Sequence, residues 1–471
     1  MRTDKIARYI ISFLLREEEL PGKLTNAVGY TANLAEMSRY KVVIMPSGFF
    51  DVGVYGTEAA DPKLPLLEWE GVPLLFGTPC VTRAYAGGPI LIHADIVAST
   101  YYLASRYEEM YRRTERDAYG RFPGKKSLPY RAGFLHRPIV EEYGEQLRSL
   151  LQSAFRESGQ EEYSKIEMPS IPRKFARVHL THDIDCPYEY HGVRSLFRAY
   201  VKEHKSLWNA YQLAFRSLLS DRYFTFDRFL EWNREVERRL PKGKCKTLFF
   251  YKTPSKEPED RPNYRVTHGA ARRVHLYARK YGVEEAFHIP MEGSLHPERI
   301  EQQLHLLEHD LKKSITHARY HYLAAREPED FLYLLNAGIL DDYTMGYPDV
   351  AGFRLGTCRP IHYIMPSTGT ITNLVLHPLT LMDCSLDRTK YMGLGARDAL
   401  TYSYQLLIAT AKYNGELNLL FHNGLLAKEV HPYHSRLYRE LLRIILRIEE
   451  CNATEEMPLE ELIPCPDVFL Y

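Results

Sequence analysis

Cysteine is scarce in this sequence. The 471 residues include seven cysteines, and no two of them stand in CxxC spacing. An odd, scattered set argues against both a disulfide framework and a cysteine zinc site, and we expect a cytoplasmic location. The chain also lacks an excess of either positive or negative charge, since 61 Lys and Arg balance 60 Asp and Glu. Without a basic field to hold a phosphate backbone, we do not expect nucleic acid as a principal partner.

Long apolar runs, internal repeats and low-complexity tracts are absent as well. The stretch IARYIISFLL is interrupted by Arg8 and followed by charged residues, so it predicts an amphipathic helix rather than a signal peptide. No run is long enough to predict a transmembrane segment. Hydrophobic residues make up 45% and charged residues 26% of the chain. This composition predicts a globular protein with a large buried core.

The pattern along the chain predicts two parts. Residues 1–156 mix helical and strand-like segments, which predicts an N-terminal α/β domain. Residues 157–174 are polar, contain proline and have no period, which indicates a linker. From 175 to 471 strand-like and helical segments alternate, a rhythm typical of a parallel sheet or a closed (β/α) barrel. In such folds the chemistry lies at the C-terminal ends of the strands.

Two of the strand-like segments are followed by possible metal ligands. One segment ends in two aspartates, and the other ends in a histidine that a glutamate follows four residues later. In THDID, Asp183 and Asp185 share a face if the chain stays extended, and their repulsion predicts a bound cation or a shared proton. In AFHIPMEGSLHP, His288 is followed by Glu292 and His296, ligand types that suit zinc or another divalent transition ion. For THDID the alternative is a polar loop after a strand. For the second group it is a strand-end histidine bonded to the backbone, with Glu292 as a solvated loop acid.

Two further segments end in histidine. The β-branched and aromatic flanks of THARYHYL predict a strand with His317, Arg319 and His321 on one face, and the strand's end favours the last two. LLFHNG places His422 at the end of an apolar strand, a position that suits a general acid or base. A hydrogen-bonded histidine near Asn423 is the alternative.

These groups resemble the polysaccharide deacetylase (NodB-homology) superfamily. The phrases HADIVASTYYLASRYEEM, GRFPGKKSLPYRAGFLHRPIVEEY and AGILDDYTMGYPDVAGFRLGT, together with THDID, RYHYL and LLFHN, carry a closer resemblance to one subgroup. This bacterial subgroup has an extra N-terminal domain. The resemblance implies a distorted (β/α) barrel preceded by a smaller α/β domain. It also implies a metal-dependent carbohydrate deacetylase, which removes an N-acetyl group from an amino sugar or surface polysaccharide precursor by cleaving a C–N amide bond that is not a peptide bond.

The resemblance also implies roles for individual residues. Asp183 resembles the catalytic base, Arg319 the arginine that orients this base, and His422 the histidine that serves as general acid. Asp185 resembles the metal-binding aspartate, and His288 resembles the first histidine of the HxxxH motif. The implied cofactor is one divalent transition metal ion, with zinc favoured.

The sequence departs from the superfamily pattern at one ligand. The second histidine of HxxxH is Glu292 here, so the third protein ligand is open between Glu292, His321 and His296. We favour His321, because we expect it on a strand and expect Glu292 in a flexible turn. Arg354, within the phrase AGFRLGT, is a candidate for substrate binding, and a buried structural arginine is its alternative.

Two other functions stay open at this point. The missing histidine favours a catalytically inactive barrel that binds glycan or scaffolds polysaccharide assembly. The superfamily also includes hydrolases of small cyclic amides, which an enclosed pocket rather than an open groove would favour. The sequence assigns no role to the N-terminal domain and indicates no oligomeric state.

Overall fold

A computed structural model describes residues 3–17, 22–158, 168–428 and 432–451. Its helices are, in chain order, α1 (Thr3–Leu15), α2 (Lys23–Asn26), α3 (Leu34–Met37), α4 (Ile96–Ala104), α5 (Tyr107–Tyr111), α6 (Leu128–Arg131), α7 (Ile139–Ser158), α8 (Gly192–Phe197), α9 (Leu207–Phe215), α10 (Phe226–Arg239), α11 (Gly269–Tyr281), α12 (Met291–Leu295), α13 (Ile300–Leu311), α14 (Phe331–Asn336), α15 (Asp383–Asp387), α16 (Ala396–Lys412) and α17 (Pro432–Glu450). The strands are β1 (Val28–Tyr30), β2 (Val42–Ile44), β3 (Leu67–Trp69), β4 (Val72–Leu74), β5 (Gly77–Arg83), β6 (Ile90–Ala94), β7 (Arg177–Ile184), β8 (Cys245–Tyr251), β9 (Glu284–Ile289), β10 (His317–Tyr320), β11 (Asp341–Asp342), β12 (Ile361–Met365), β13 (Thr370–Leu376), β14 (Leu381–Met382) and β15 (Glu416–Leu420).

The N-terminal segment, residues 3–158, contains a four-stranded sheet of order β1-β2-β6-β5. Its first three strands are parallel, and β5 runs antiparallel to β6. The predicted amphipathic helix is confirmed as α1, which buries Ile6, Ile10 and Leu14 against α4 and α7. The sequence pattern of ADIVASTYYLASRYEEMYRR predicts one continuous helix, which the structure does not show. The segment breaks into α4 and α5 at Arg106, whose φ of 61° cannot continue a right-handed helix.

The second part contains a nine-stranded sheet of order β12-β13-β11-β10-β9-β8-β7-β15-β14, curled into a half-barrel. Neighbouring strands are parallel except β12, which runs antiparallel to β13. The mixed α/β architecture is therefore confirmed. Within the described residues the sheet ends at β12 and β14, which do not pair with each other, so the barrel is open rather than closed.

Register aligns the ends of the central strands. Ile184 of β7 pairs with Tyr251 of β8, and Tyr251 pairs with Phe287 of β9. Ile289 of β9 pairs in turn with Tyr320 of β10. These strands are buried on both faces, as parallel strands covered by helices are. Residues that follow the four strands therefore meet at one edge of the sheet.

The N-terminal segment packs against the second part through buried polar contacts. Glu141 of α7 pairs with Arg359 at 2.8 Å, and the backbone N–H of Gly124 donates to Asp349 at 2.8 Å. Residues 159–167 of the predicted linker lie outside the described residues. In the part of the chain that the structure describes, no helix combines the length and apolar character needed to cross a membrane.

Candidate active site

A cavity of about 320 Å³ opens at the edge of the sheet where the central strands end. Its floor contains four of the residues singled out from the sequence, namely Asp183, Asp185, His321 and His422. Its walls contain tyrosines and basic residues, including Tyr119 and Arg121 of the N-terminal segment. The volume lies at the lower end of the range of about 300–1,000 Å³ for small-molecule sites. The cavity therefore suits a small ligand or one sugar unit rather than a long chain.

Asp185, His288 and His321 form a cluster of possible metal ligands. Oδ1 of Asp185 lies 3.2 Å from Nε2 of His288 and 3.4 Å from Nε2 of His321. Adjacent ligands of a tetrahedral ion, each about 2.0–2.2 Å from the metal, are separated by about 3.4 Å. Asp185 Oδ1 and His288 Nε2 are both buried without a hydrogen-bond partner. Donor chemistry, spacing and these two unsatisfied atoms all fit a divalent ion held between the three side chains.

The other ring nitrogen of each histidine is held by a neighbouring group. His321 Nδ1 donates to Oδ1 of Asp260 at 2.7 Å, and His288 Nδ1 donates to the carbonyl oxygen of Arg319 at 3.0 Å. These bonds direct each Nε2 lone pair towards Asp185, as outer partners of metal-binding histidines do. Burial raises the pKa of Asp260, but His321 outweighs it and holds that pKa at about 2. Asp260 is therefore a carboxylate that can orient His321 over the whole neutral range.

The expected position of His321 on a strand is wrong in detail. Strand β10 ends at Tyr320, and His321 begins a tight turn. Tyr322 and Leu323 in this turn have φ values of 59° and 56°, a left-handed backbone that costs side-chain-bearing residues energy. The turn nevertheless brings the His321 ring to Asp185.

Glu292 and His296 lie apart from the ligand cluster. Glu292 is not in a flexible turn but on the short helix α12, where its carboxylate contacts Arg299 and accepts a 3.3 Å bond from Gln303. His296 is half exposed, and its Nδ1 lies 3.4 Å from Glu298. The chain turns into a helix directly after Pro290, which carries Glu292 away from the strand ends.

Asp183 is fixed by Arg319. Nη1 of the fully buried Arg319 donates to Oδ1 of Asp183 at 2.8 Å and to Oγ1 of Thr181 at 2.9 Å. Nε of Arg319 donates to the carbonyl oxygen of Tyr343 at 3.0 Å. The second oxygen of Asp183 lies 3.6 Å from His288 Nε2, beside the ligand cluster. Asp183 therefore has one oxygen held by a cation and one oxygen facing the site.

His422 faces the same cavity from the opposite side. Its Nδ1 donates to Oδ1 of Asp383 at 2.8 Å, and its backbone N–H donates to Oδ2 of Asp383 at 2.6 Å. Its Nε2 lies 3.6 Å from Oδ2 of Asp185. Burial lowers the pKa of His422, but the Asp383 carboxylate outweighs burial and raises that pKa well above 6.5. His422 is therefore an imidazolium at neutral pH, and its bonding partner is Asp383 rather than Asn423.

Arg354, predicted either to bind substrate or to be a buried structural arginine, lies outside the cavity lining. Its Nε and Nη2 donate to the two oxygens of Glu109 at 2.9 and 2.7 Å, and its Nη1 donates to the carbonyl oxygen of Gly346 at 2.8 Å. Only 4% of Arg354 is exposed. Its guanidinium group is used in a buried ion pair that joins the nine-stranded part of the chain to Glu109 of α5. These contacts favour a structural arginine.

A second group of histidines and carboxylates lies at the opposite, N-terminal edge of the sheet. His377 donates from Nδ1 to Glu416 at 2.6 Å and from Nε2 to Asp341 at 2.9 Å. His179, beside them, contacts Glu416 at 3.4 Å. Burial lowers the pKa of His377, but the two carboxylates outweigh it and raise that pKa to about 9. Both nitrogens of this imidazolium carry protons, which leaves no lone pair for a metal.

Three residues of the site were missed from the sequence: Lys252, Asp260 and Asp383. Lys252 follows β8 directly, so the signal was a charged residue at the end of the apolar strand KTLFFYK. Asp383 likewise follows β14. Asp260 lies in a one-turn 3-10 helix within a long loop, and no periodicity marks it.

Comparisons with known proteins bear on the N-terminal segment. Residues 6–156 match a family of unknown function (DUF7033). No curated protein matches the chain. The family match ends at the boundary that the sequence pattern predicts for the N-terminal part. It includes Tyr119 and Arg121 of the cavity wall but none of the candidate metal ligands, acid or base.

Proposed function

We propose that this protein is a metal-dependent hydrolase of the polysaccharide deacetylase type, which removes an N-acetyl group from an amino sugar. The observation that carries the proposal is the convergence of two sets of side chains on one cavity. A ligand cluster of Asp185, His288 and His321 adjoins an arginine-held carboxylate, Asp183, and a carboxylate-held imidazolium, His422. This combination supplies a base and an acid on either side of a metal site.

The chain's own residues divide the proton transfers between them. Asp183 accepts the proton of the attacking water with its free oxygen, while Arg319 keeps the other oxygen in place. His422 donates its Nε2 proton to the amine nitrogen as the C–N bond breaks, and Asp383 stabilises the imidazolium until then. The products are acetate and a free amine. A divalent ion at the cluster, with zinc favoured, would supply Lewis acidity towards the amide carbonyl and the water.

His321 also bears on the alternative of an inactive, glycan-binding barrel. That alternative drew its support from the missing second histidine of HxxxH. A third ligand is nevertheless available, because the imidazole of His321 lies 3.4 Å from Asp185 and is oriented by Asp260. A complete ligand set with an acid and a base beside it favours catalysis over binding alone.

The experiment is acetate release from N-acetylglucosamine by the full-length protein, after chelation and again after addition of one equivalent of zinc, cobalt or manganese. We expect activity only with metal. Asp183→Asn and His422→Ala should retain the metal but lose about 10²–10⁴-fold in turnover. Asp61→Asn, outside the cavity lining, is the matched carboxylate control and should behave as wild type. Wild-type turnover in either site variant would refute its role, and absence of bound metal would refute the class of enzyme.

A further inference from the structure

The cavity walls carry more positive charge than the proposed chemistry uses. Lys252, which follows β8, lines the cavity beside the ligand cluster and is 2% exposed. Its Nζ donates to the backbone carbonyl of Asp260 at 3.1 Å. Among the described residues no carboxylate oxygen lies within 4.0 Å of this ammonium group. A buried cation without a carboxylate partner is costly, which points to a negative group that occupies the cavity with it.

Three further basic residues line the cavity on its solvent side: Arg261, Arg388 and Lys390. All three are exposed and, within the described ranges, have no carboxylate within 4.0 Å. The Nη2 of Arg388 lies 3.8 Å from the Cys384 sulfur, and the Nζ of Lys390 lies 4.9 Å above the Tyr391 ring. These side chains are therefore free to bind a ligand.

The negative charges of the cavity do not balance these cations. Asp183 is already paired with Arg319, and Asp185 faces the two histidines. Arg121, also in the lining, is neutralised by Asp117. Among the described residues of the lining, Glu259 is the remaining carboxylate, against four basic side chains without a carboxylate partner. Low-dielectric walls concentrate this excess and attract anions.

We infer that the substrate is an anionic N-acetylated sugar, whose phosphate or carboxylate is bound by Lys252, Arg388 and Lys390 while its acetamido group reaches the ligand cluster. This inference rests on the proposed function for the position of the acetamido group. The phosphate and the carboxylate share the same chemistry here, since both form charge-assisted hydrogen bonds with ammonium and guanidinium groups. Aromatic walls at Tyr223 and Tyr322 suit the sugar ring.

The test compares calorimetric affinities of the full-length, metal-loaded protein for three sugars. N-acetylglucosamine is the neutral reference, N-acetylglucosamine 6-phosphate the phosphate arm and N-acetylmuramic acid the carboxylate arm. We expect at least one anionic sugar to bind about tenfold or more tightly than the neutral one. The preference should shrink as salt rises from about 0.05 to 0.5 M, because the outer cations are exposed. The stronger arm identifies the anion.

Variants separate this subsite from direct binding of the anion to the metal. Arg388→Ala with Lys390→Ala changes only exposed side chains and should remove most of the preference, as should Lys252→Met. Lys256→Ala, an exposed cation outside the lining, should retain it. Equal affinity for all three sugars, or a preference that survives the Arg388 and Lys390 substitutions, would overturn the inference. Tighter binding of an anionic sugar without acetate release would refute the deacetylase activity and support the anion-binding subsite. Acetate release with equal affinity for all three sugars would support the deacetylase activity and refute the subsite.

Discussion

Arg121, from the N-terminal segment, donates a 2.8 Å hydrogen bond from Nη1 to the carbonyl oxygen of Tyr322, the residue that follows the candidate ligand His321. Its Nε and Nη2 donate to Oδ2 of Asp117 at 2.8 and 2.6 Å. The Tyr119 ring stacks on the Tyr322 ring with centroids 4.8 Å apart. The N-terminal segment therefore holds the left-handed turn that presents His321.

The first prediction is that Arg121→Ala weakens metal binding. Without the bond to its carbonyl, the turn at Tyr322 can relax from its costly left-handed backbone, and the His321 ring would lose its orientation. Loss of such an outer partner typically costs about 10–100-fold in metal affinity. Competition with a fluorescent zinc chelator measures the zinc affinity of each variant. Arg113→Ala, which removes only half-exposed ion pairs on the same segment, should bind zinc as wild type does. Zinc affinity in Arg121→Ala equal to that of the wild type would show that the turn keeps its conformation without Arg121.

The second prediction concerns the third ligand. His321→Ala should lower zinc affinity by at least about 100-fold, because it removes a ligand and leaves Asp185 and His288 alone. Glu292→Gln should change the affinity little, since that carboxylate is engaged by Arg299 and Gln303. The two variants are compared in one chelator titration. A large loss in Glu292→Gln with none in His321→Ala would reverse the assignment.

Parallel strands explain why part of the site could be predicted from the sequence. The parallel strands β7, β8 and β9 end at the same edge, so Asp185 and His288, which end two apolar runs of the sequence, are expected to lie near each other there. Lys252 follows the same rule, because it comes directly after the apolar strand β8.

Other contacts depend on chain paths that no local pattern reveals. Asp260 reaches His321 across 61 positions, and Glu109 reaches Arg354 across 245. Neither Asp260 nor Glu109 has a spacing that identifies its partner. Glu292 was expected in a turn, because Pro290 and Gly293 flank it, yet Pro290 precedes the first turn of a helix.

The third prediction is that Arg354→Ala destabilises the fold without altering substrate affinity. Glu109 would lose two charge-assisted hydrogen bonds and keep Arg106 as its remaining buried partner, a loss of about 1.5–3 kcal/mol in the free energy of unfolding. Urea unfolding measures this quantity. Arg83→Ala, whose pair with Glu157 is exposed, should cost at most about 1 kcal/mol. If Arg354→Ala instead retained stability and weakened sugar binding, the substrate-binding role would be restored.

The fourth prediction uses the imidazolium of His377 at the N-terminal edge of the sheet. Its pKa rises from 6.5 to about 9 on folding, which corresponds to about 3 kcal/mol at about 1.4 kcal/mol per pKa unit. Because the folded pKa is the higher one, this stabilisation is complete below pH 6.5, declines between pH 6.5 and 9, and is absent above pH 9. Burial raises the pKa of Glu416, but His377 outweighs it and holds that pKa well below 4.5, so Glu416 stays ionised throughout this window.

We therefore expect the free energy of unfolding of the wild type to fall by up to about 3 kcal/mol between pH 6 and 9.5. His377→Gln should be less stable than the wild type at pH 6 and should show a much flatter dependence on pH. His305→Gln, an exposed histidine paired on the surface of α13, is the control and should follow the wild-type curve. Urea titrations at four pH values compare the three proteins. A wild-type curve as flat as that of His377→Gln would mean that His377 is neutral in the folded protein, and its Nδ1 or Nε2 would then be free to accept a bond or bind a metal.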